Sequence, residues 1–228
     1  MPRGMFDRDL RKLQEDLLVL AGRAEEALVH SLDVLKRQDL VAARALYEAD
    51  EEINRLRFAL ESSTVTLIAT QQPMASDLRV LIAILELASE LERIADYAKG
   101  IAKIALLIGH EPLIKPLVDL PRMAEHVASM LRRSLQAFVD RDMEAARQIA
   151  AEDVAIDDLY NQVYRELLTF IMADPKTLNQ ATYLLWVGHN LERAADRVTN
   201  ICERVVFLVS GVMVELGGKE DVGLEGLA

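Results

Sequence analysis

Glu90-Leu91-Glu92-Arg93-Ile94-Ala95-Asp96 and Asn190-Leu191-Glu192-Arg193-Ala194-Ala195-Asp196 carry one string, Leu-Glu-Arg-x-Ala-Asp, twice in a chain of 228 residues. The repetition marks an internal duplication. Each copy sets two carboxylates four residues apart, and on an α-helix that spacing puts both side chains on one face, one turn above the other. Outward from the signature, residues 32–56 align without gaps with residues 135–159. The alignment matches Asp39 to Asp142, Ala42-Ala43-Arg44 to Ala145-Ala146-Arg147, Asp50 to Asp153 and Ile53 to Ile156. A small length change separates the two matched blocks near Pro73 and Pro175, where a turn absorbs it. The chain therefore reads as two modules of roughly 100 residues each.

The composition is 51% apolar but only 5% aromatic, and rich in Ala, Leu, Ile and Glu, a profile of packed helices. Ile84, Leu87, Leu91, Ile94, Ala98 and Ile101 fall in steps of three and four, while strand-like alternation is absent. Breaks at residues 36–39, 71–73, 109–121, 140–142, 174–175 and after Gly211 leave six long helices, antiparallel because their turns are short. The expected architecture is all-α: two tandem three-helix bundles, residues 1–110 and 111–212, with a flexible tail over 213–228. Asp39 and Asp142 read as N-caps, and Asp174 as the cap of a helix opened by Pro175. Pro73 is expected to open the third helix, with Ser76 or Asp77 accepting from its free amides. Met74, Met123, Met130, Met143 and Met172 read as core filler, and Cys202 as a small core residue.

A formal charge of −11 argues against a nucleic-acid binder, which needs clustered Lys and Arg to neutralise phosphates. The single Cys202 excludes an intramolecular disulfide, and the first residues show no apolar stretch of signal-peptide length, so a cytoplasmic location is expected. The apolar run over residues 205–214 is well short of the ~20 residues of a spanning helix, which confines membrane contact to partners. There is no phosphate loop ending in Lys-Ser or Lys-Thr, no H-E-x-x-H, no C-x-x-C and no G-x-S-x-G. No enzymatic activity is expected on these grounds.

The candidate chemistry lies in acids beside the apolar stripes. Asp50 and Asn54 align with Asp153 and Asp157, while Glu92 and Asp96 align with Glu192 and Asp196. Two helices packed through those stripes bring four oxygen-bearing side chains together in each half. Carboxylates ~4 Å apart repel by several kcal/mol at intermediate dielectric, and a hard cation relieves the repulsion. All-oxygen donor sets suit magnesium, manganese, calcium or iron over zinc or copper. The alternative is that the acids are boundary residues paired with Arg93, Arg193, Arg44 or Arg147 on a solvated face. His189, three residues before Glu192, reads as a structural histidine within reach of the second set. Gln71, Gln72, Asp77 and Arg79 form either a plain turn or a docking surface at one bundle end.

Q-Q-P-M-A-S-D-L-R over residues 71–79, S-E-L-E-R-I-A-D-Y-A over 89–98 and N-L-E-R-A-A-D-R-V-T-N-I-C-E over 190–203 resemble the PhoU family of phosphate-transport regulators. The resemblance runs from about residue 6 to 210. It implies a cytoplasmic, homodimeric protein of two three-helix bundles that negatively regulates phosphate uptake and the phosphate-starvation response. It implies an adaptor rather than an enzyme, between the ATPase subunit of a phosphate ABC transporter and a phosphate-sensing histidine kinase. It also implies metal ions at the acid motifs, iron or zinc, with magnesium or manganese as alternatives. Carried over by position, the ligands are Asp153, Asp157, Glu192, Asp196 and Asn200 in the second half, and Asp50, Asn54, Glu92 and Asp96 in the first. The first half departs at Asn54, which stands opposite Asp157, and at Gly100 and Lys103, which stand opposite Asn200 and Glu203. Tighter metal binding by the second set is therefore expected; in the first, either the cation site is weakened or Lys103 itself replaces part of the metal charge. A different class, a metal-dependent phosphohydrolase acting on a phosphate ester, uses the same carboxylates, but no acid or base is placed for it by the sequence.

Overall fold

Two aspartates set the helix starts as their spacing predicts. Asp39 Oδ1 accepts hydrogen bonds from the amides of Val41 at 3.1 Å and Ala42 at 3.0 Å, and Asp142 Oδ1 from that of Ala145 at 2.9 Å. The residues before them, Gln38 and Arg141, both adopt the left-handed region, with φ of 53° and 57°. The duplication thus reaches down to backbone conformation.

A computed structural model describes residues 3–217. Its elements are α1 (Arg3–Arg37), α2 (Leu40–Gln71), α3 (Ala75–Ile108), α4 (Asp119–Asp140), α5 (Met143–Ala150), α6 (Asp153–Ala173), a 3-10 turn (Pro175–Thr177) and α7 (Leu178–Ser210). No strand occurs among the described residues, and no helix there is long and apolar enough to cross a membrane. The all-α architecture of six expected helices is found, the fifth as two segments, α5 and α6. At their junction Ala151 and Glu152 keep right-handed helical angles, but the Glu152 amide donates to the Ile149 carbonyl at 3.0 Å, a tighter 3-10 bond. The Glu152 carboxylate is clasped from α4 by two Arg133 nitrogens, each at 2.6 Å, and by His126 Nε2 at 3.0 Å. The break in the helix therefore coincides with a tertiary contact and has no breaker residue.

Several local expectations need correction. Helix α3 begins at Ala75 with Met74 as its N-cap and no side-chain capping bond, so neither Ser76 nor Asp77 caps it. Met123 and Met130 are core residues, but Met74 and Met172 are 72% and 84% exposed, because they sit at helix ends beyond the apolar stripes. In the tail placed at 213–228, Val214 and Leu216 pack partly against the core while Met213, Glu215 and Gly217 are exposed. Gly211 turns the chain back, Val214 and Leu216 cover the core edge, and the Leu216 amide donates to Glu203 Oε1 at 2.9 Å. Residues 218–228 lie outside the described residues.

The two bundles share one continuous core. Helix α3 packs on α1, α2 and α7, α7 packs on α3, α4, α5 and α6, and α1 meets α4. Across the α3–α7 seam Arg79 lies by Gly211, Glu86 by Arg204, Glu90 by Arg197 and Asn200, Tyr97 by Arg193, and Gly100 by Asn190. One number rises as the other falls, so the two signature helices run antiparallel along nearly their whole lengths. Ala88, Ala95, Ala98, Ala194 and Ala195 are buried and small, which lets the helices approach closely. The linker is held by glutamines: Gln38 Nε2 donates to the carbonyls of Gly109 at 3.1 Å and Glu111 at 2.6 Å. Gln180 accepts from the Ile114 amide and donates to the Pro112 carbonyl at 3.1 Å.

Candidate metal-binding carboxylate clusters

Because α3 and α7 cross antiparallel at their signatures, the two acid sets flank the centre of the molecule. In the first half, α2 supplies Asp50 and Asn54, and α3 supplies Glu92 and Asp96. Asp50 is only 4% exposed. Lys99 Nζ lies 2.6 Å from its Oδ2, and Asn54 Nδ2 donates to the same oxygen at 3.0 Å. Arg57 Nη1 lies 3.3 Å from Glu92 Oε1, and its Nε lies 2.7 Å from Glu61. Desolvation, followed by the Asp96 charge, raises the pKa of Glu92; desolvation and then Asp50 raise that of Asp96. These mutual effects place Asp50, Glu92 and Asp96 in one electrostatic cluster.

In the second half, α6 supplies Asp153 and Asp157, and α7 supplies Glu192, Asp196 and Asn200. His189 Nδ1 lies 3.3 Å from Glu192 Oε2, so the histidine does join this set. Desolvation raises the Asp196 pKa, opposed by Arg197 and reinforced by Asp157. Arg197 lies 4.0 Å from Asp196 and 3.5 Å from Glu90 of the first half, and Asn200 Nδ2 donates to that same Glu90 at 3.2 Å. Asp153, Asp196, Asn200, Glu203 and Glu215 line a groove of about 330 Å³. Glu215 lies between Val214 and Leu216, which pack partly against the core.

Both halves of the chain match the family model described as the PhoU domain, over residues 17–105 and 120–205. The chain belongs to the PhoU family. It is 33% identical to the phosphate-specific transport system accessory protein PhoU homolog of Clostridium acetobutylicum, over 95% of this chain and 99% of that one. It is also 33% identical to the phosphate-specific transport system accessory protein PhoU of Escherichia coli, over 91% of this chain and 86% of that one. The crystal structure of the phosphate transport system regulatory protein PhoU from Streptococcus pneumoniae superposes with a TM-score of 0.86 at 34% identity. It covers 92% of this chain and 100% of its own.

The metal expectation for this PhoU-family chain can be tested on donor chemistry. The second set is all-oxygen apart from His189 and fits a hard cation. The first set fits poorly, because Lys99 lies 2.6 Å from Asp50 and Arg57 3.3 Å from Glu92, whereas Arg197 stands off Asp196 at 4.0 Å. No three His, Cys, Asp or Glu side chains among the described residues converge on a point that could hold one ion, so loading the second set requires side-chain rotation. Lys103, one alternative for replacing metal charge, is exposed, and the ammonium that meets Asp50 is that of Lys99, one turn earlier. Arg57 and Lys99 are the residues the sequence reading missed. Comparing the halves at these positions, Lys99 against Thr199 and Arg57 against Tyr160, is the signal that identifies them. Arg193, one of the four expected partners for the acids, stacks over the Tyr97 ring at 5.3 Å and also acts on Asp196 through its charge.

The Glu152 clasp carries a pH prediction. Hydrogen bonds from Arg133, then His126, lower its pKa from the usual 4.5 to about 2. A lowered folded pKa means stability present above pH 4.5 and lost as pH falls towards 2. Glu92, Asp96 and Asp196 are raised and have the opposite sign: acidification through their titration favours the fold. Glu152→Ala is expected to remove about 1 kcal/mol at neutral pH, after discount for its partial exposure. Urea unfolding at pH 6 and pH 3 should show a smaller acid loss in the variant than in the parent.

Proposed function

We propose that this chain is an accessory regulator of phosphate transport that restrains phosphate uptake and the starvation response when phosphate is plentiful. The observation that carries this reading is the end-to-end alignment with relatives named as phosphate-specific transport system accessory proteins, which spans both halves. In this reading the protein acts in the cytoplasm as a homodimeric adaptor. It contacts the ATPase subunit of a phosphate ABC transporter and a sensor histidine kinase, and reaches the membrane only through them. The fused core suits such a role, since a scaffold that bridges two partners transmits a change best when its halves move together. Asp153, Asp157, Glu192, Asp196 and Asn200 would hold a metal ion, iron, zinc, magnesium or manganese. A bound cation would neutralise the acidic face at the centre of the molecule and so tune its contacts.

Deleting the gene in its host tests the regulatory role. Phosphate uptake and a starvation-responsive reporter are expected to rise in phosphate-rich medium, and to fall back when the intact chain is restored. The transporter ATPase is expected to co-purify with the chain from phosphate-rich cells. Unchanged uptake and reporter output in the deletion strain would overturn the reading.

A further inference from the structure

The two halves carry matching acid sets, except that Asn54 stands where the second half has Asp157, and they differ in the cations beside them. Lys99 approaches Asp50 from α3 at 2.6 Å, and the Tyr47 ring lies 5.3 Å from the ammonium, a cation–π contact that helps to fix it. Arg57 bridges Glu61 at 2.7 Å and Glu92 at 3.3 Å. At the equivalent positions of the second half stand Thr199 and Tyr160, neither of which is cationic. The duplication shows in the structure as well as the sequence. Ser31 and Ser134 are both buried and each donates to the carbonyl three residues earlier, at 2.7 and 2.8 Å.

A carboxylate as buried as Asp50 needs a compensating partner, and a charge-assisted bond to an ammonium supplies one. Lys99 and Asn54 both use Oδ2, which leaves Oδ1 buried without a hydrogen bond. A divalent ion entering this set would have to displace the ammonium or sit beside it against like-charge repulsion. We propose that the first-half cluster takes no metal ion: Lys99 and Arg57 are its built-in counter-ions, and cation binding by the chain is confined to the second half. The duplication has then produced one half with cations built against Asp50 and Glu92, and one whose nearby arginine, Arg197, stands 4.0 Å from Asp196 and is shared with Glu90. Exchanging the two cations for uncharged side chains should expose a hard-cation site formed by Asp50, Asn54, Glu92 and Asp96.

The test is Mn²⁺ binding to the full chain, measured by electron paramagnetic resonance after exhaustive dialysis, together with thermal unfolding with and without Mn²⁺. Lys99→Thr combined with Arg57→Gln is expected to take up about one further Mn²⁺ per chain than the parent. Adding Asp50→Asn should abolish the gain. In the parent, Asp96→Ala should leave Mn²⁺ binding unchanged. If the double variant folds only with Mn²⁺ present, that dependence supports the proposal. If it does not fold at all, Lys99→Gln, which retains a donor for Asp50, is measured in its place with the same expectation. No gain in the folded variant, or loss of parental Mn²⁺ on Asp96→Ala, overturns the proposal. The regulatory reading is tested in cells and does not depend on this count, so either can fail alone.

Discussion

Leu191→Ala is expected to cost the fold about 3 to 4 kcal/mol, the range for a large-to-small change at a site that cannot collapse. Leu191 and its counterpart Leu91 are both 0% exposed, and each lies within the signature of a helix that forms the α3–α7 seam. Their neighbours include Ala88, Ala95, Ala194 and Ala195, which have no rotamers with which to fill a void. Denaturant midpoints should fall while the slope stays constant, since neither end state changes in compactness. Leu91→Ala should cost a similar amount and answers a second question. The only tryptophan, Trp186, reports on the second half, whereas the lesion lies in the first. Because the halves share one core, Trp186 fluorescence and helical circular dichroism should lose signal together. Separate transitions would mean that the bundles unfold as independent units.

What could be read in advance was local or repeated. Asp39 and Asp142 announce helix starts because capping involves a side chain and the amides two or three residues away. The apolar stripe from Ile84 to Ile101 announces a helix because its period is a property of one segment. The break at Ala151–Glu152 could not be seen this way. Both residues suit a helix, and Glu152 at the break is held by Arg133 from another element. The acid positions were legible through the duplication, but their partners were not. Arg93 and Arg193 adjoin the acids in sequence yet are exposed, whereas Arg57 reaches Glu92 from the neighbouring helix. Periodicity assigns a residue to a face and leaves open which long side chain crosses to it. The fusion of the two bundles was hidden for a related reason: spare apolar faces can serve a seam or a second copy of the chain equally well.

The difference between the halves extends to packing, and Gly188→Val is expected to expose it with a loss of about 2 to 3 kcal/mol. A Cβ built at Gly188 would lie 3.0 Å from Cδ2 and 3.3 Å from Cε2 of Tyr160, and 3.5 Å from Leu120 Cδ2. A mid-helix glycine costs about 1 kcal/mol against alanine, so it is kept here because the tyrosine ring lies flush against the α7 backbone. In the first half the equivalent pair is Ala88 and Arg57: a side chain at one position goes with a flexible arm at the other. Valine at 188 adds branches against a ring that packs beside His189, at 6.3 Å between centroids, and cannot retreat freely. Gly188→Ala should be close to neutral, because the gain in helix propensity offsets a ring shift of a few tenths of an ångström. Tyr160→Ala should relieve most of the penalty of Gly188→Val, giving a double-mutant coupling of about 1 to 2 kcal/mol by chemical denaturation. Additive losses would show that the ring is not what the glycine accommodates.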